Sequence, residues 1–387
     1  MQTATRDPSL GVIAASFVVG TTALMILGVQ PVLLEALVGA HRVNEQQAGV
    51  LATVEDLALA VGAGIGPAWM RRGGIRVKAV VLSLLLALAH LAIYGATSPL
   101  LLDLVRGAAG LLEGLALSAI LVILIHHSQP DRLNGAFLAI STLPQAVMAV
   151  AVPALVTPLL GPLGGFVVLA VLSLISVGAA MVLPSRVEVA AEETHGRTRW
   201  SPPILLSLAA VALQNAAIGG AWTYLPLIVD QRHFAPELAG VAVGGGLVLQ
   251  VAGAAAAATW GRRLPYGAVL VLGALCQTLV IAGLAIAGAP ALYVGLGLVF
   301  GLFWLALSPF QVRLLIVLDP SRGAAVLLTA LVLIGLSLGP AISAVGVHGA
   351  DVSGALVIAA ALMAAAVALY AVIMILTRRV RAAQPGG

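Results

Sequence analysis

Residues 100–125 read LLLDLVRGAAGLLEGLALSAILVILI. This run is almost entirely apolar, and as a helix it is long enough to cross a hydrocarbon layer of about 30 Å. It nevertheless carries Arg106 and Glu113 in its interior and Asp103 near its start. A charge at the bilayer centre costs at least ~2.5 kcal/mol, so such a residue usually faces a pathway or a partner. The stretch therefore predicts a membrane-spanning helix with functional ionisable groups.

The rest of the chain has the same apolar character. Of its 387 residues, 61% are hydrophobic and 9% are charged, whereas a soluble domain has roughly a quarter charged residues. The pI of 9.7 does not indicate a nucleic-acid partner here, because the basic residues lie in short loops where membrane topology requires them. We therefore expect most of the chain to be embedded in membrane lipid. The one cysteine, Cys276, excludes an intramolecular disulfide.

Apolar runs of spanning length recur along the whole chain, and lipid offers backbone groups no partners, so all of them are expected to be helices. The predicted spans are Leu10–Leu37, Ala48–Met70, Val77–Ala96, Leu100–Ile125, Leu133–Leu160, Phe166–Leu183, Ile204–Val229, Leu238–Trp260, Tyr266–Ile286, Ala291–Leu318, Gly323–Val347 and Val352–Leu376. Nearly all loop Lys and Arg residues fall on one side of this topology, and only Arg42 and Arg232 fall on the other. Both termini are therefore predicted to be cytoplasmic, in a multi-pass protein of the cell inner membrane.

Short sequences recur in the same order in the two halves, which indicates an internal repeat. The matched pairs are Ala48-Gly49-Val50 with Ala239-Gly240-Val241, Trp69-Met70-Arg71-Arg72 with Trp260-Gly261-Arg262-Arg263, Leu115-Ala116-Leu117-Ser118 with Leu305-Ala306-Leu307-Ser308, and Pro130 and Arg132 with Pro320 and Arg322. The predicted fold class is an all-α membrane protein, with twelve transmembrane helices in two pseudo-symmetric six-helix bundles. The predicted domains are residues 1–184 and 203–387, and a flexible cytoplasmic linker covers 185–202. Two such halves around a central site are typical of secondary transporters.

The connection after the second span resembles a signature of the major facilitator superfamily, G-x-x-x-D-R-x-G-R-R. Gly66, Arg71 and Gly73 match it, Arg72 follows the matched arginine, and Met70 replaces the aspartate. The resemblance implies a charge latch that gates the cytoplasmic helix ends. Its members would be Gly66, Arg71, Arg72 and Gly73, with Arg262 and Arg263 in the second half. The alternative is that this basic cluster only sets topology.

The fourth span resembles a second motif of the family, R-x-x-x-G, at Arg106–Gly110. In proton-coupled members this arginine is associated with proton transfer, and the resemblance implies the same for Arg106. The antiporter motif of the fifth span, G-x-x-x-G-P, is replaced by residues 141–145, STLPQ, while a similar pattern stands at 335–340 in the eleventh span. The resemblance also implies that the first, fourth, seventh and tenth spans line a central cavity.

Four ionisable residues are the candidates for proton coupling. Arg106 and Glu113 lie about two helical turns apart and share a face of the fourth span. Glu55 and Asp56 are neighbours in the second span, where two carboxylates repel each other and one of them can carry a proton. In each case the alternative is a structural bridge between helices. Asp103 can pair with Arg106 one turn away, in a structural role.

Polar and aromatic residues of the first, seventh and tenth spans are the candidate substrate-binding residues. They are Gln30, Gln214, Asn215, Trp222, Tyr224, Trp304, Gln311 and Arg313. Amides and aromatic faces suit an amphipathic organic molecule. Arg313 could instead reach the lipid headgroups. Prolines are expected to interrupt the first helix at Gln30–Pro31 and the seventh at Trp222–Pro226.

His90 in the third span is interpreted as a packing residue. His126 and His127 lack nearby Cys or acidic ligands, so we expect no metal site. Catalytic motifs such as H-E-x-x-H and G-x-S-x-G are missing from the sequence, which argues against an enzyme. No cofactor is expected other than H⁺ as the coupling ion.

Three functions remain open. The first is proton-coupled export of small amphipathic organic compounds by alternating access, in which the halves rock about a central site. The second is proton-coupled uptake of an organic anion bound by Arg106 or Arg313. A non-transporting membrane sensor is the remote third. In each case we expect a functional monomer, and for the two transporters a small-molecule substrate.

Overall fold

The computed structural model describes residues 8–125, 127, 129–186 and 200–382. Most of the predicted linker 185–202 lies outside these residues. The described part is helical, and its one β-type contact is an isolated bridge between His348 and Asp351.

The helices of the amino-terminal half follow the predicted spans closely. They are α1 (Leu10–Gly39), α2 (Glu45–Met70), α3 (Ile75–Ala92), α4 (Pro99–Leu124), α5 (Pro130–Ala151), α6 (Thr157–Leu160) and α7 (Gly164–Ala180). A turn of π-helix, Val152–Val156, joins α5 to α6 and contains Pro153. A proline in a helix removes one backbone donor, and a local π-turn accommodates that loss.

The carboxy-terminal half contains two spans that are each divided into two helices. Its helices are α8 (Pro202–Tyr224), α9 (Leu227–Gln231), α10 (Glu237–Trp260), α11 (Tyr266–Ile286), α12 (Pro290–Ala306), α13 (Ser308–Leu318), α14 (Gly323–Ala344) and α15 (Ser353–Ala382). The predicted interruption of the seventh span is confirmed, because α8 ends before Leu225–Pro226 and α9 begins after them. The tenth span divides at Leu307, just before Pro309.

The interruption predicted for the first span was wrong. Helix α1 runs unbroken from Leu10 to Gly39 with Pro31 inside it. Membrane helices tolerate an internal proline because neighbouring groups satisfy the freed carbonyl.

Eleven helical segments of the described residues are long and apolar enough to cross a membrane. Another apolar helix, α7, is shorter at 17 residues. The chain is thus an all-α, multi-span membrane protein, as predicted. Its described residues form two compact units, one drawn from the described residues of 8–43 and 54–186 and the other from 44–53 and 200–382.

In the first unit, glycines allow α4 to approach α2 closely. A Cβ added at Gly110 would collide with the backbone of Glu55 and Leu59, and one added at Gly114 would collide with the backbone of Leu59 and Ala63. Small residues at such crossings are the usual means of helix association in lipid. The close approach places the carboxylate of Glu55 beside the side chain of Arg106.

In the second unit, α8 packs against α14 and α15. Gly339 of α14 lies against the backbone of Ala216, and Gly335 lies against Ala212 and Ala216, again without room for a Cβ. This packing makes α8 a central helix of its unit and buries Gln214 and Asn215.

Candidate functional site

An ion pair between Arg106 and Glu55 is buried in the first unit. Arg106 is 1% exposed and Glu55 is 2% exposed. The guanidinium also lies over the ring of Phe166, with 5.0 Å from Cζ to the ring centroid. A buried charge needs a partner of opposite sign, and here two helices, α4 and α2, supply one each.

Gln30 of α1 joins both neighbouring carboxyl groups of α2. Its Nε2 donates to Glu55 Oε2 at 3.3 Å and to Asp56 Oδ1 at 2.9 Å. One amide thus holds together two groups that repel each other when both are charged. Gln30 was predicted to bind substrate, but the structure places its amide within the cluster of ionisable groups.

His90 of α3 connects Arg106 to Glu113. Its Nδ1 lies 3.2 Å from Arg106 Nη1, and its Nε2 lies 3.9 Å from Glu113 Oε1. An arginine side chain can only donate, so Nδ1 is the acceptor and carries no proton. The neutral imidazole then holds its proton on Nε2, which faces the carboxyl group of Glu113.

Glu113 is 1% exposed, and its second oxygen, Oε2, has no hydrogen-bond partner among the described residues. A buried polar atom without a partner is uncommon in a folded protein and indicates a functional role or a missing small molecule. In this position the carboxyl group has an oxygen free to bind a proton.

The structure thus brings together all four predicted proton-coupling residues, Arg106, Glu113, Glu55 and Asp56. The predicted pairing of Asp103 with Arg106 was wrong, because the ion pair that the described residues show for Arg106 is with Glu55. Sequence reasoning missed the connecting role of His90. The available signal was that His90 is the one titratable residue of α3 beyond its first turn.

The second unit contains a buried cluster of amides around a tyrosine. Gln214 Oε1 accepts from Gln311 Nε2 at 2.9 Å and from the Tyr370 hydroxyl at 2.8 Å. Gln214 Nε2 donates to Gln277 Oε1 at 3.1 Å. The amide nitrogen of Gln277, Nε2, has no hydrogen-bond partner among the described residues. Gln214 and Gln311 were predicted substrate residues, whereas Gln277 and Tyr370 were missed, although each is a polar side chain in an apolar span.

Three aromatic side chains lie together in the same unit. The ring of Trp222 is 5.1 Å from that of Trp304 and 6.4 Å from that of Phe300, and Phe300 is 6.0 Å from Trp304 between ring centroids. Trp222 and Trp304 were predicted to bind substrate. Their rings meet nearly edge to face, at an interplanar angle of 72°, an arrangement that aromatic pairs prefer and that aromatic ligands can extend.

Three other predicted substrate residues lie elsewhere in the second unit. Asn215 donates to the carbonyl of Val211 in its own helix at 2.8 Å, and Tyr224 is buried at the end of α8. Arg313 is exposed and does not join the amide cluster. Its guanidinium donates to the Leu264 carbonyl at 3.2 Å.

The predicted gating residues of the first unit lie at the turn between α2 and α3. Gly73 and Gly74 have φ angles of +80° and +71°, a left-handed conformation that favours glycine. Arg71 and Arg72 are exposed beside them, and Arg263 is exposed in the second unit. A Cβ at Gly66 would collide with Ser118 of α4. The side chain of Arg262 lies outside the described residues.

The family model of the Major Facilitator Superfamily matches residues 12–325. The chain therefore belongs to this superfamily, as the motifs after the second span and in the fourth span predicted. A search of curated protein sequences found no match.

Solved structures share the fold at low sequence identity. Two are crystal structures of the nucleoside transporter NupG. One is a mutant, with 12% identity and a TM-score of 0.71, covering 94% of this chain and 99% of that one. The other has 13% identity and a TM-score of 0.69, covering 94% and 98%. A bacterial homologue of the human lysosomal transporter Spinster, inward-facing and unoccupied, has 12% identity and a TM-score of 0.66, covering 94% of each chain.

A bacterial metal transporter also matches, with 14% identity and a TM-score of 0.65, covering 94% of this chain and 97% of that one. Fold and family together define the chain as a multi-span membrane protein of the transporter class, whose partner is a small-molecule substrate.

Proposed function

We propose that this chain is a proton-coupled secondary transporter that exports small amphipathic organic compounds by alternating access. The observation that carries the proposal is the buried cluster of Arg106, Glu55, Asp56, His90 and Glu113. It contains three carboxyl groups and one guanidinium, so one Arg cannot neutralise all three carboxylates. A cluster with more acids than cations can take up and release protons as the protein changes state.

The chain's own residues suggest how a proton is handled. Glu113 accepts it, because its Oε2 has no other described partner. His90 keeps its Nε2 proton facing Glu113 only while Nδ1 accepts from Arg106. Protonation of Glu55 would weaken its hold on Arg106, and the freed guanidinium would then attract the carboxylate of Glu113. Proton binding at either glutamate thus changes which partners Arg106 prefers, and that change biases the two transport states.

Residues of the second unit support the proposed substrate class. Gln214, Gln277 and Gln311 offer amide donors and acceptors, and Trp222 and Trp304 offer flat apolar faces. Together they suit a molecule with an aromatic or apolar part and a few polar groups. The solved structures carry names as different as nucleoside and metal transporter, so the shared fold does not choose among substrates.

Other aspects of the proposal come from the sequence. The transporter works as a monomer in the cell inner membrane, with both termini in the cytoplasm. It needs no cofactor beyond the coupling proton. Proton-coupled uptake of an organic anion is the competing mode, but Arg106 is already paired with Glu55 and offers an anion less free charge.

The test is substrate-induced proton movement in proteoliposomes with an imposed pH gradient. Organic cations, neutral amphiphiles and organic anions are screened in turn. We expect cations or neutral amphiphiles to drive protons opposite to their own flux. Movement of organic anions together with protons would replace export by uptake, and no proton movement with any class would overturn proton coupling.

Variants locate the coupling within the cluster. Glu113→Gln is expected to abolish coupled proton movement, and His90→Gln to shift its pH dependence. The matched control is Asp103→Asn, which removes a carboxyl group from the same helix outside the cluster and is expected to leave coupling unchanged. If the Glu113→Gln variant moved protons with substrate as the wild type does, Glu113 would have no part in proton coupling.

A further inference from the structure

Arg313 is a cation of a membrane span and has no acidic partner among the described residues. No Asp or Glu in the described part of the chain forms an ion pair with it. Its contacts are the Leu264 carbonyl, which accepts at 3.2 Å, and the ring of Tyr266, whose centroid lies 5.4 Å from Cζ. A guanidinium has five N–H donors, so most of its hydrogen-bonding capacity remains unused.

A cavity of about 780 Å³ is lined by Arg313 and by residues of α11 and α15. Its walls include Val271 and Leu272 from α11 and Met374 and Ile375 from α15. Leu272 is 63% exposed and Ile375 is 52% exposed. Because exposed apolar side chains of a spanning helix face lipid, this groove is open to the acyl chains of the bilayer.

The charge lies near the predicted cytoplasmic end of its span. Arg313 stands five residues before the end of α13 at Leu318, which is about 8 Å along the helix axis. At that depth a long side chain can reach the headgroup layer. A cation with an apolar groove below it matches a molecule that has an anionic head and a hydrocarbon tail.

We propose that Arg313 and the groove between α11 and α15 bind an anionic phospholipid. The phosphate accepts hydrogen bonds from the Arg313 guanidinium, with which it can form a two-point contact. One acyl chain lies against Val271, Leu272, Met374 and Ile375. The lipid supplies the negative charge that the described part of the chain does not provide for Arg313. This site is separate from the proton cluster and from the amide cluster, so it stands whether or not the proposed transport mode is correct.

The experiment measures lipid retention by the purified full-length protein with native mass spectrometry. The protein is delipidated in detergent and then incubated with equal amounts of phosphatidylglycerol and phosphatidylcholine of the same chain length. We expect a preference for phosphatidylglycerol in the wild type that falls about fivefold in Arg313→Gln, the factor typical of one basic residue at an anionic surface. Arg313→Lys should retain part of the preference.

The matched control is Arg132→Gln, which removes an exposed arginine of the first unit that is on the same predicted side of the membrane and does not line the groove. It should leave the preference unchanged. A second variant, Leu272→Trp, fills the groove without removing charge and should lower retention of phosphatidylglycerol. Because Leu272 is exposed, this change should not prevent folding.

Three results would overturn the proposal. One is equal retention of the two lipids by the wild type. Another is an unchanged preference in Arg313→Gln. The third is full displacement of phosphatidylglycerol by an equal concentration of sn-glycerol 3-phosphate, which would show an anion site without a lipid tail.

Discussion

At the scale of single residues, Arg106 is the group on which the buried cluster depends. It donates to Glu55 of α2 and to His90 of α3, and it lies over Phe166 of α7. One side chain of α4 thus contacts residues of three other helices, α2, α3 and α7. A single change at Arg106 therefore affects packing, charge balance and proton handling at the same time.

Replacing Arg106 by Gln is expected to lower the free energy of unfolding by about 3 to 5 kcal/mol, because Glu55 would remain buried without its counter-charge. The double variant Arg106→Gln with Glu55→Gln should recover much of that loss, since it removes both charges. Unfolding in a detergent titration measures both values. Equal stability of the single and double variants would show that the unpaired charge of Glu55 is not the cause of the loss.

At the scale of helices, the crossing of α2 and α4 depends on glycine. Gly110 has no room for a Cβ because the backbone of Glu55 and Leu59 lies against it, whereas a Cβ added at Gly64 of α2 would meet no other atom within 4 Å. The same chemical change at these two positions therefore has opposite physical consequences.

Gly110→Ala is expected to destabilise the protein by about 1 to 3 kcal/mol through overpacking. Gly64→Ala is the matched control and should be neutral or slightly stabilising, since alanine favours a helix more than glycine. The midpoint of thermal unfolding reports both. A loss of stability in Gly64→Ala as large as that in Gly110→Ala would contradict the close approach of α2 and α4.

The connection from α14 to α15 carries a pH-sensitive contact. Hydrogen bonds from the Ser353 backbone N–H at 2.9 Å and from Gln231 Nε2 at 2.7 Å hold the pKa of Asp351 below its ordinary value. A carboxyl group whose pKa falls on folding stabilises the fold above its unfolded pKa, which is about 3.9. That contribution is lost as the pH falls through the lower pKa of the folded state.

Asp351→Asn should therefore lower the thermal midpoint slightly at pH 7, and the difference from wild type should shrink below about pH 4. Thermal unfolding measured across a pH series tests this. A difference that stays constant from pH 7 to pH 3 would exclude an ionised Asp351 as its cause.

At the scale of the whole molecule, the arginines and lysines of the loops predict which side each loop occupies. Cys276 is the one cysteine of the chain, so a Cys276→Ser background allows single cysteines to be placed in chosen loops. Ser185, just after the sixth span, and Ala350, between the last two spans, are both exposed.

We expect Ala350→Cys to react with a membrane-impermeant maleimide in spheroplasts of a bacterial host. Ser185→Cys should react only after the membrane is permeabilised. Labelling of both sites in intact spheroplasts would contradict an odd number of spans between them, and the reverse pattern would invert the predicted orientation.

The helices could be predicted from sequence because their cause is local. Each span needs a continuous apolar run that is long enough to cross the bilayer, and such a run can be recognised in the sequence itself. The family could also be predicted, since its motifs at Gly66–Gly73 and Arg106–Gly110 are short and contiguous. Arg106 and Glu113 could be predicted as functional candidates because a charge in an apolar span is costly wherever the helix packs.

The partners of those charges were decided by tertiary structure alone. Asp103 is close to Arg106 in sequence, yet Glu55 pairs with Arg106 because Gly110 lets α2 approach α4. His90 gained its role because packing of α3 on α4 places both ring nitrogens between Arg106 and Glu113. Chain spacing specifies which residues share a helix face, but only the packing of helices far apart in sequence determines which side chains meet across it.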